Sequence, residues 1–212
     1  MPDPTQLLLY LAATLLLAIT PGPGLVYVAA RTLAGGRAEG VASSLGTGLG
    51  GLVHVLAGSL GVSALLLASA DLFTALTLLG AGYLIWLGLR TLRDARREAL
   101  ADPAAPPVGA RRAFREGVLV EALNPKTAAF FLAFVPQFLD PAAGHVALQF
   151  VLLGAVSVAL NTLADIAVAC AASRFRKGAA PRPALVRRLR QGSGGAMVAL
   201  GIGLALARRP AG

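Results

Sequence analysis

Cysteine occurs once in the 212 residues, at Cys170, histidine twice, and charged residues make up only 14% of the chain. A lone cysteine excludes an intrachain disulfide and a two-thiol redox pair. Flanked by apolar residues, it reads as packing. The sequence has no clustered His/Cys/Asp set, no phosphate-binding glycine loop ending in lysine and serine or threonine, and no dinucleotide fingerprint. Neither an enzyme nor a cofactor is expected, and no metal site. The shortage of charge is set against 56% hydrophobic residues and a mean hydropathy of +0.72. A soluble domain cannot hide that much apolar surface, and the long uncharged runs identify an all-α integral membrane protein.

A bilayer core takes about 20 apolar residues per helix. On that ruler six spans fall at about 5–30, 41–68, 72–92, 114–139, 146–173 and 192–207. The last is short and glycine-rich, and five spans is the structural alternative. No lysine or arginine precedes the apolar run that begins at Leu7, so that run reads as a retained span rather than a signal peptide. The net charge of +9 would suggest nucleic acid in a soluble protein, but its placement argues otherwise. Arg31 and Arg37, then Arg90, Arg93, Arg96, Arg97, Arg111, Arg112 and Arg115, then Arg174, Arg176, Lys177, Arg182, Arg187, Arg188 and Arg190 all fall on one side. Only Arg208 and Arg209 fall on the other. The positive-inside rule makes the rich side cytoplasmic, in contact with anionic lipid, and places both termini outside the cytoplasm of a bacterial-type inner membrane.

Two proline breaks interrupt otherwise apolar spans: Thr20-Pro21-Gly22-Pro23 in the first and Asn124-Pro125-Lys126 in the fourth. Proline removes a backbone donor, and the carbonyls it frees survive at membrane depth only where protein or an aqueous cavity meets them. The basic, proline-rich connection 93–113 separates a first three-helix unit, 1–92, from a second, 114–212. Three spans per half force opposite orientations, so the expectation is two inverted repeats with the broken helices meeting at a central site. Lys126 within a span is either a partner for a substrate carboxylate or a cap for freed carbonyls. Asn124 either touches substrate or satisfies the broken ladder. Pro21, Gly22 and Pro23 shape the site, Gly22 by permitting close approach. Asp165 in the fifth span is either a proton carrier or, with Arg174 about two and a half turns on, half of a structural ion pair or a residue near the cytoplasmic end of the span. His54 either titrates or donates to a neighbouring carbonyl. Gly46, Gly48, Gly50 and Gly51 suit close helix contacts, within one chain or between the copies of a homodimer.

These residues also carry a resemblance. Pro21-Gly22-Pro23-Gly24, the run Leu45-Gly46-Thr47-Gly48-Leu49-Gly50-Gly51, Gly82-Tyr83-Leu84-Ile85-Trp86-Leu87-Gly88, and Glu121-Ala122-Leu123-Asn124-Pro125-Lys126-Thr127 with the continuation to Phe138 resemble the LysE/RhtB family of amino-acid exporters. Gly194-Gly195 and Leu200-Gly201-Ile202-Gly203 are similar to its last helix. The resemblance implies a secondary transporter that exports amino acids or close derivatives, driven by inward movement of protons. It also implies that Glu121, like the acidic residue some members carry before their broken segment, binds the substrate ammonium or the coupling proton. The alternative for Glu121 is an interfacial pair with Arg115. The rival function is a cation or metal exporter of a related family, which would want more carboxylate, thiol or histidine ligands than these spans offer.

Overall fold

A computed structural model describes residues 4–68, 70–94, 106–175 and 183–206, and among them the regular structure is entirely helical. Helix α1, Pro4–Ile19, stops at the first proline motif, and α2, Pro23–Gly35, restarts with Pro23 in its first turn, where a missing N–H costs nothing. Two long helices follow, α3 at Arg37–Ala68 and α4 at Ala70–Asp94. The second half opens with α5, Ala110–Ala122, and α6, Pro125–Ala129, which runs on as a π-helical turn, Phe130–Phe134, and a 3₁₀ turn, Val135–Phe138. Helices α7, Val146–Phe175, and α8, Pro183–Leu206, complete it. The last helix is therefore longer than the sequence suggests, 24 residues beginning in the basic connection. The basic residues Arg96, Arg97, Arg176, Lys177, Arg182, Arg208 and Arg209, and part of the proline-rich boundary, lie outside the described residues.

Within the described residues, Arg37–Gly61 and Val146–Arg174 are long and apolar enough to cross a membrane. Each proline-broken pair also qualifies if taken as one span: α1 with α2, bent by 45°, and α5 with the α6 segment, bent by 42°. That makes four. Leu8, Leu60, Leu79 and Leu163 are 62–74% exposed on the outer faces, where lipid rather than water suits them.

Glycine sets the packing. A methyl group on Gly117 would lie 2.7 Å from the Ser43 carbonyl, and one on Gly46 would collide with the Phe114 carbonyl, so α3 and α5 touch backbone to backbone. Gly88 and Gly194 face each other's carbonyls across α4 and α8, each at 2.7 Å from the added carbon, and Gly201 meets Ala81 the same way. Gly48 admits Thr162 and Gly51 admits Val158 where α3 meets α7. In lipid, which is as apolar as leucine, such close contact is what holds helices together. An aromatic cluster fills one end: Tyr10 stacks on Phe134 at 6.1 Å and meets Phe138 edge-on at 5.1 Å, with Phe130, Phe131 and Phe150 behind.

Candidate functional site

The two breaks are built alike. In an uninterrupted helix the Leu17 carbonyl would accept from residue 21 and the Glu121 carbonyl from residue 125, but both are prolines. Thr20 N–H turns back to Leu17 O at 3.2 Å, and Asn124 N–H turns back to Glu121 O at 3.0 Å. Each carbonyl also receives a side-chain donor from another part of the chain. Lys126 Nζ donates to Leu17 O at 3.2 Å and to Thr20 O at 3.0 Å. His54 Nε2 lies 2.8 Å from Glu121 O, and because a carbonyl only accepts, that nitrogen carries the proton. Lys126 thus caps carbonyls freed by the break in the other half, not those freed by Pro125, and His54 serves a carbonyl.

The same exchange brings two buried charges against two glycines. Lys126 is 5% exposed and Glu121 3%. An added carbon on Gly22 would lie 3.0 Å from Lys126 Nζ and Cε, and one on Gly24 would overlap the Glu121 carboxylate. Pro-Gly-Pro-Gly is therefore a cradle in which alternate residues make room for the lysine and the glutamate of the second half. Pro21 is partly exposed, and Pro23 and Pro125 are exposed. Asn124 has both hands occupied: its Oδ1 accepts from Lys126 N–H at 3.0 Å as the helix cap, and its amide donates to Glu121 Oε2 at 2.9 Å. The Thr127 hydroxyl donates to Glu121 Oε1 at 2.6 Å. With these partners Glu121 does not pair with Arg115, which is exposed.

Asp165 is fully buried on α7. Its Oδ2 lies 2.8 Å from the Thr47 hydroxyl of α3, and its Oδ1 has no hydrogen-bond partner among the described residues. Arg174 is exposed, so the ion pair weighed for Asp165 is not formed. The Thr47 hydroxyl also lies 2.8 Å from Ser44 O and faces a cavity of about 30 Å³. Glu121, Lys126, Thr14, Ser157 and Asn161 share that cavity wall. Such a volume takes one or two waters, far fewer atoms than an amino acid. Beyond its two ends, hydrogen bonds tie α1 to α7 and α2 to α5. On one side the Tyr10 hydroxyl donates to Leu153 O at 2.8 Å and contacts Ser157 Oγ. On the other, Tyr27 of α2 donates to Ala113 O and to Glu116 of α5, each at 3.0 Å, and buried Glu39 accepts from Val108 and Gly109 N–H at 2.9 and 2.7 Å.

The fold therefore gathers Gly22, Glu121, Asn124 and Lys126 into one cluster and sets Asp165 one hydroxyl behind it. Sequence reasoning passed over Gly24, Thr47, Thr127 and Asn161. Thr47 and Asn161 were readable only as polar residues within apolar runs, and Gly24 only as the second glycine of its motif. Among the described residues no group of three His, Cys, Asp or Glu side chains comes together, so the cation-export alternative gains nothing here.

The chain matches the LysE type translocator family over residues 15–208 and belongs to it. It is 31% identical over 204 residues to a homoserine/homoserine lactone efflux protein of Salmonella typhimurium, covering 94% of this chain and 95% of that one. It is also 35% identical over 159 residues to an uncharacterized membrane protein of Pseudomonas aeruginosa (73% of each chain). A similar protein of Vibrio cholerae is 31% identical over 156 residues (74% of this chain and 75% of the other). No solved structure matches the chain.

Proposed function

We propose that this translocator is a secondary exporter of amino acids or close derivatives in the cytoplasmic membrane, working as a proton antiporter. The observation that carries the reading is the placement of a buried lysine and a buried glutamate of one break against two glycines of the other, on the wall of one cavity. A zwitterionic amino acid needs donors for its carboxylate and acceptors for its ammonium. Lys126 has three donors and gives two to the carbonyls of Leu17 and Thr20, leaving one for a carboxylate. Glu121 is held by two neutral donors, Asn124 and Thr127, and is the acceptor for the ammonium.

Asp165 and Thr47 supply the proton step. Thr47 can donate to an ionised Asp165, or accept from a protonated one while turning its own proton to Ser44 O. The Asp165–Thr47 hydrogen bond is kept in both states without moving a heavy atom. Glu121 is the second group on the proton path. The matching construction of the two breaks, with bends of 45° and 42° and the same proline-to-carbonyl spacing, supports two inverted repeats, 1–92 and 114–212, joined by 93–113. In that arrangement α4 and α8 complete six spans. Arginine placement supports an orientation with the Tyr27 contact towards the cytoplasm, the Tyr10 contact towards the outside, and both termini outside.

In the proposed cycle the Tyr27–Glu116 contact opens to admit substrate, the Tyr10 cluster opens to release it, and a proton returns through Asp165. One charge moving down 100 mV is worth about 2.3 kcal/mol, enough for a roughly 50-fold gradient of neutral substrate. The test is efflux from cells preloaded with a labelled amino-acid mixture, with and without an uncoupler. Uncoupler-sensitive loss of one or a few amino acids, absent in Lys126→Met at equal membrane abundance, is expected. No loss of any amino acid from cells carrying the unaltered protein would overturn it.

A further inference from the structure

Helix α7 carries three polar side chains one turn apart, Ser157, Asn161 and Asp165, about 6 Å between neighbours along the axis. The two outer members are engaged: Ser157 with Tyr10 and Thr14 of α1, and Asp165 with Thr47 of α3. Asn161 is different. Its side chain lines the cavity and has no hydrogen-bond partner among the described residues, although an amide carries two donors and an acceptor. Three further groups on that wall have capacity to spare. Lys126 keeps one N–H beyond the two it gives to Leu17 and Thr20. Buried Thr14 has only a 3.5 Å contact with Ser157. Thr47 has a single proton, which serves Ser44 O or Asp165, and its oxygen can accept another. A cavity of about 30 Å³ takes one or two waters, and a buried water settles where it finds roughly two to four polar partners.

We infer that Asn161 holds a water beside Lys126, Thr14 and Thr47, and that this water hands the coupling proton to Asp165 on the leg of the cycle that carries no substrate. The inference rests on the proton-antiport reading. A proton that reaches the water moves on to Thr47 Oγ1 as the proton of Thr47 passes to Asp165 Oδ2. The water is then neutral again, Thr47 still has one proton, and Asp165 has gained one. The proton now on Thr47 turns to Ser44 O, so that its oxygen accepts from the new Asp165 hydroxyl. Asn161 gains and loses nothing; its amide positions the water through a donor and an acceptor. The charged groups around it are Glu121 and Lys126 on the cavity wall and Asp165 behind Thr47. Water and substrate compete for one space. An amino acid whose carboxylate takes the remaining Lys126 donor displaces the water, and with it the contact between an entering proton and Thr47. The cavity therefore passes a substrate or a proton but not both together, which is what antiport through one site requires.

The test uses the purified protein in liposomes loaded with a labelled amino-acid mixture and follows loss of label in two ways. In net efflux the outside is acidic and holds no amino acid, so the empty transporter must return with a proton. In exchange the pH is equal on both sides and the same mixture, unlabelled, is outside, so substrate is carried in both directions and no proton is needed. Asn161→Leu keeps the shape, removes no hydrogen bond between described residues and leaves nothing polar to hold the water. It should lose acid-driven net efflux and keep exchange, and the retained exchange shows a folded, working transporter. Asn161→Ser, with a hydroxyl and room for water, should recover part of the acid-driven efflux. Acid-driven efflux kept in Asn161→Leu, exchange lost along with it, or no recovery in Asn161→Ser each overturns this inference alone, the amide then serving substrate or packing. Exchange without acid-driven efflux in the unaltered protein overturns the antiport reading and this inference with it. Neither activity for any amino acid in the unaltered protein overturns the exporter reading as a whole.

Discussion

Gly24→Ala adds one methyl group to a residue that has no side chain to lose, and by propensity alone it should help. Replacing glycine by alanine within a helix gains up to about 1 kcal/mol, less in the first turn where Gly24 sits. The site predicts the opposite sign. The added carbon would overlap Glu121 Oε2, which is held at 2.9 Å by Asn124 and whose sister oxygen is held at 2.6 Å by Thr127. Both partners and the carboxylate are buried, so the group has only the small cavity to turn into. Hydrogen bonds to a charged group contribute about 1.5–3 kcal/mol each. Losing one of the two, offset by the propensity gain, leaves a net destabilisation of about 1–3 kcal/mol; losing both about doubles it. The assay is thermal unfolding of the purified protein in detergent, paired with efflux from preloaded cells. Gly82→Ala, where nothing lies within 4 Å of the added carbon, is the control and should be neutral or mildly stabilising. If Gly24→Ala matched the control in stability and exported normally, the seating of Glu121 on the first proline motif would be refuted.

Lys126→Met removes the charge at similar length and should raise the KM for export by about 10- to 150-fold, the worth of one charge-assisted hydrogen bond to a carboxylate; an unchanged KM at equal membrane abundance would remove Lys126 from substrate binding. Asp165→Asn keeps shape but not titration, so export should lose its dependence on an imposed pH gradient, and full dependence in efflux measurements would exclude Asp165 from coupling. Thr47→Val should uncouple export from that gradient while Thr47→Ser retains coupling, a comparison that separates the hydroxyl from the packing around it. His54→Leu leaves a carbonyl beside Pro125 with one donor fewer, a cost of about 1–3 kcal/mol in thermal unfolding, and His54→Gln should recover part of it.

Several of these residues were visible in the chain without any coordinates. Proline inside an apolar run has one meaning at membrane depth, so both breaks and the special status of Lys126 and Asn124 could be read directly. Asp165 stood out because a carboxylate in an uncharged run is costly. The length of the last helix was misjudged because its first turns are basic, and hydropathy measures transfer into lipid, not helix formation. Arg115 and Arg174 looked like partners for Glu121 and Asp165 because proximity along a helix is all that spacing reports. In the fold both arginines are exposed and the carboxylates take hydroxyl and amide donors from elsewhere.

The sequence by itself determined the solvent, the helical class and the two breaks, because each follows from local composition and proline chemistry. Only the tertiary structure decided what meets what. Lys126 caps carbonyls more than a hundred residues away, His54 caps the carbonyl that Pro125 orphans, and Gly22 and Gly24 receive two charges of the other half. Those pairings depend on how α1, α3, α5 and α7 cross, and glycines that admit backbone against backbone fix the crossings through contacts between residues far apart in the chain.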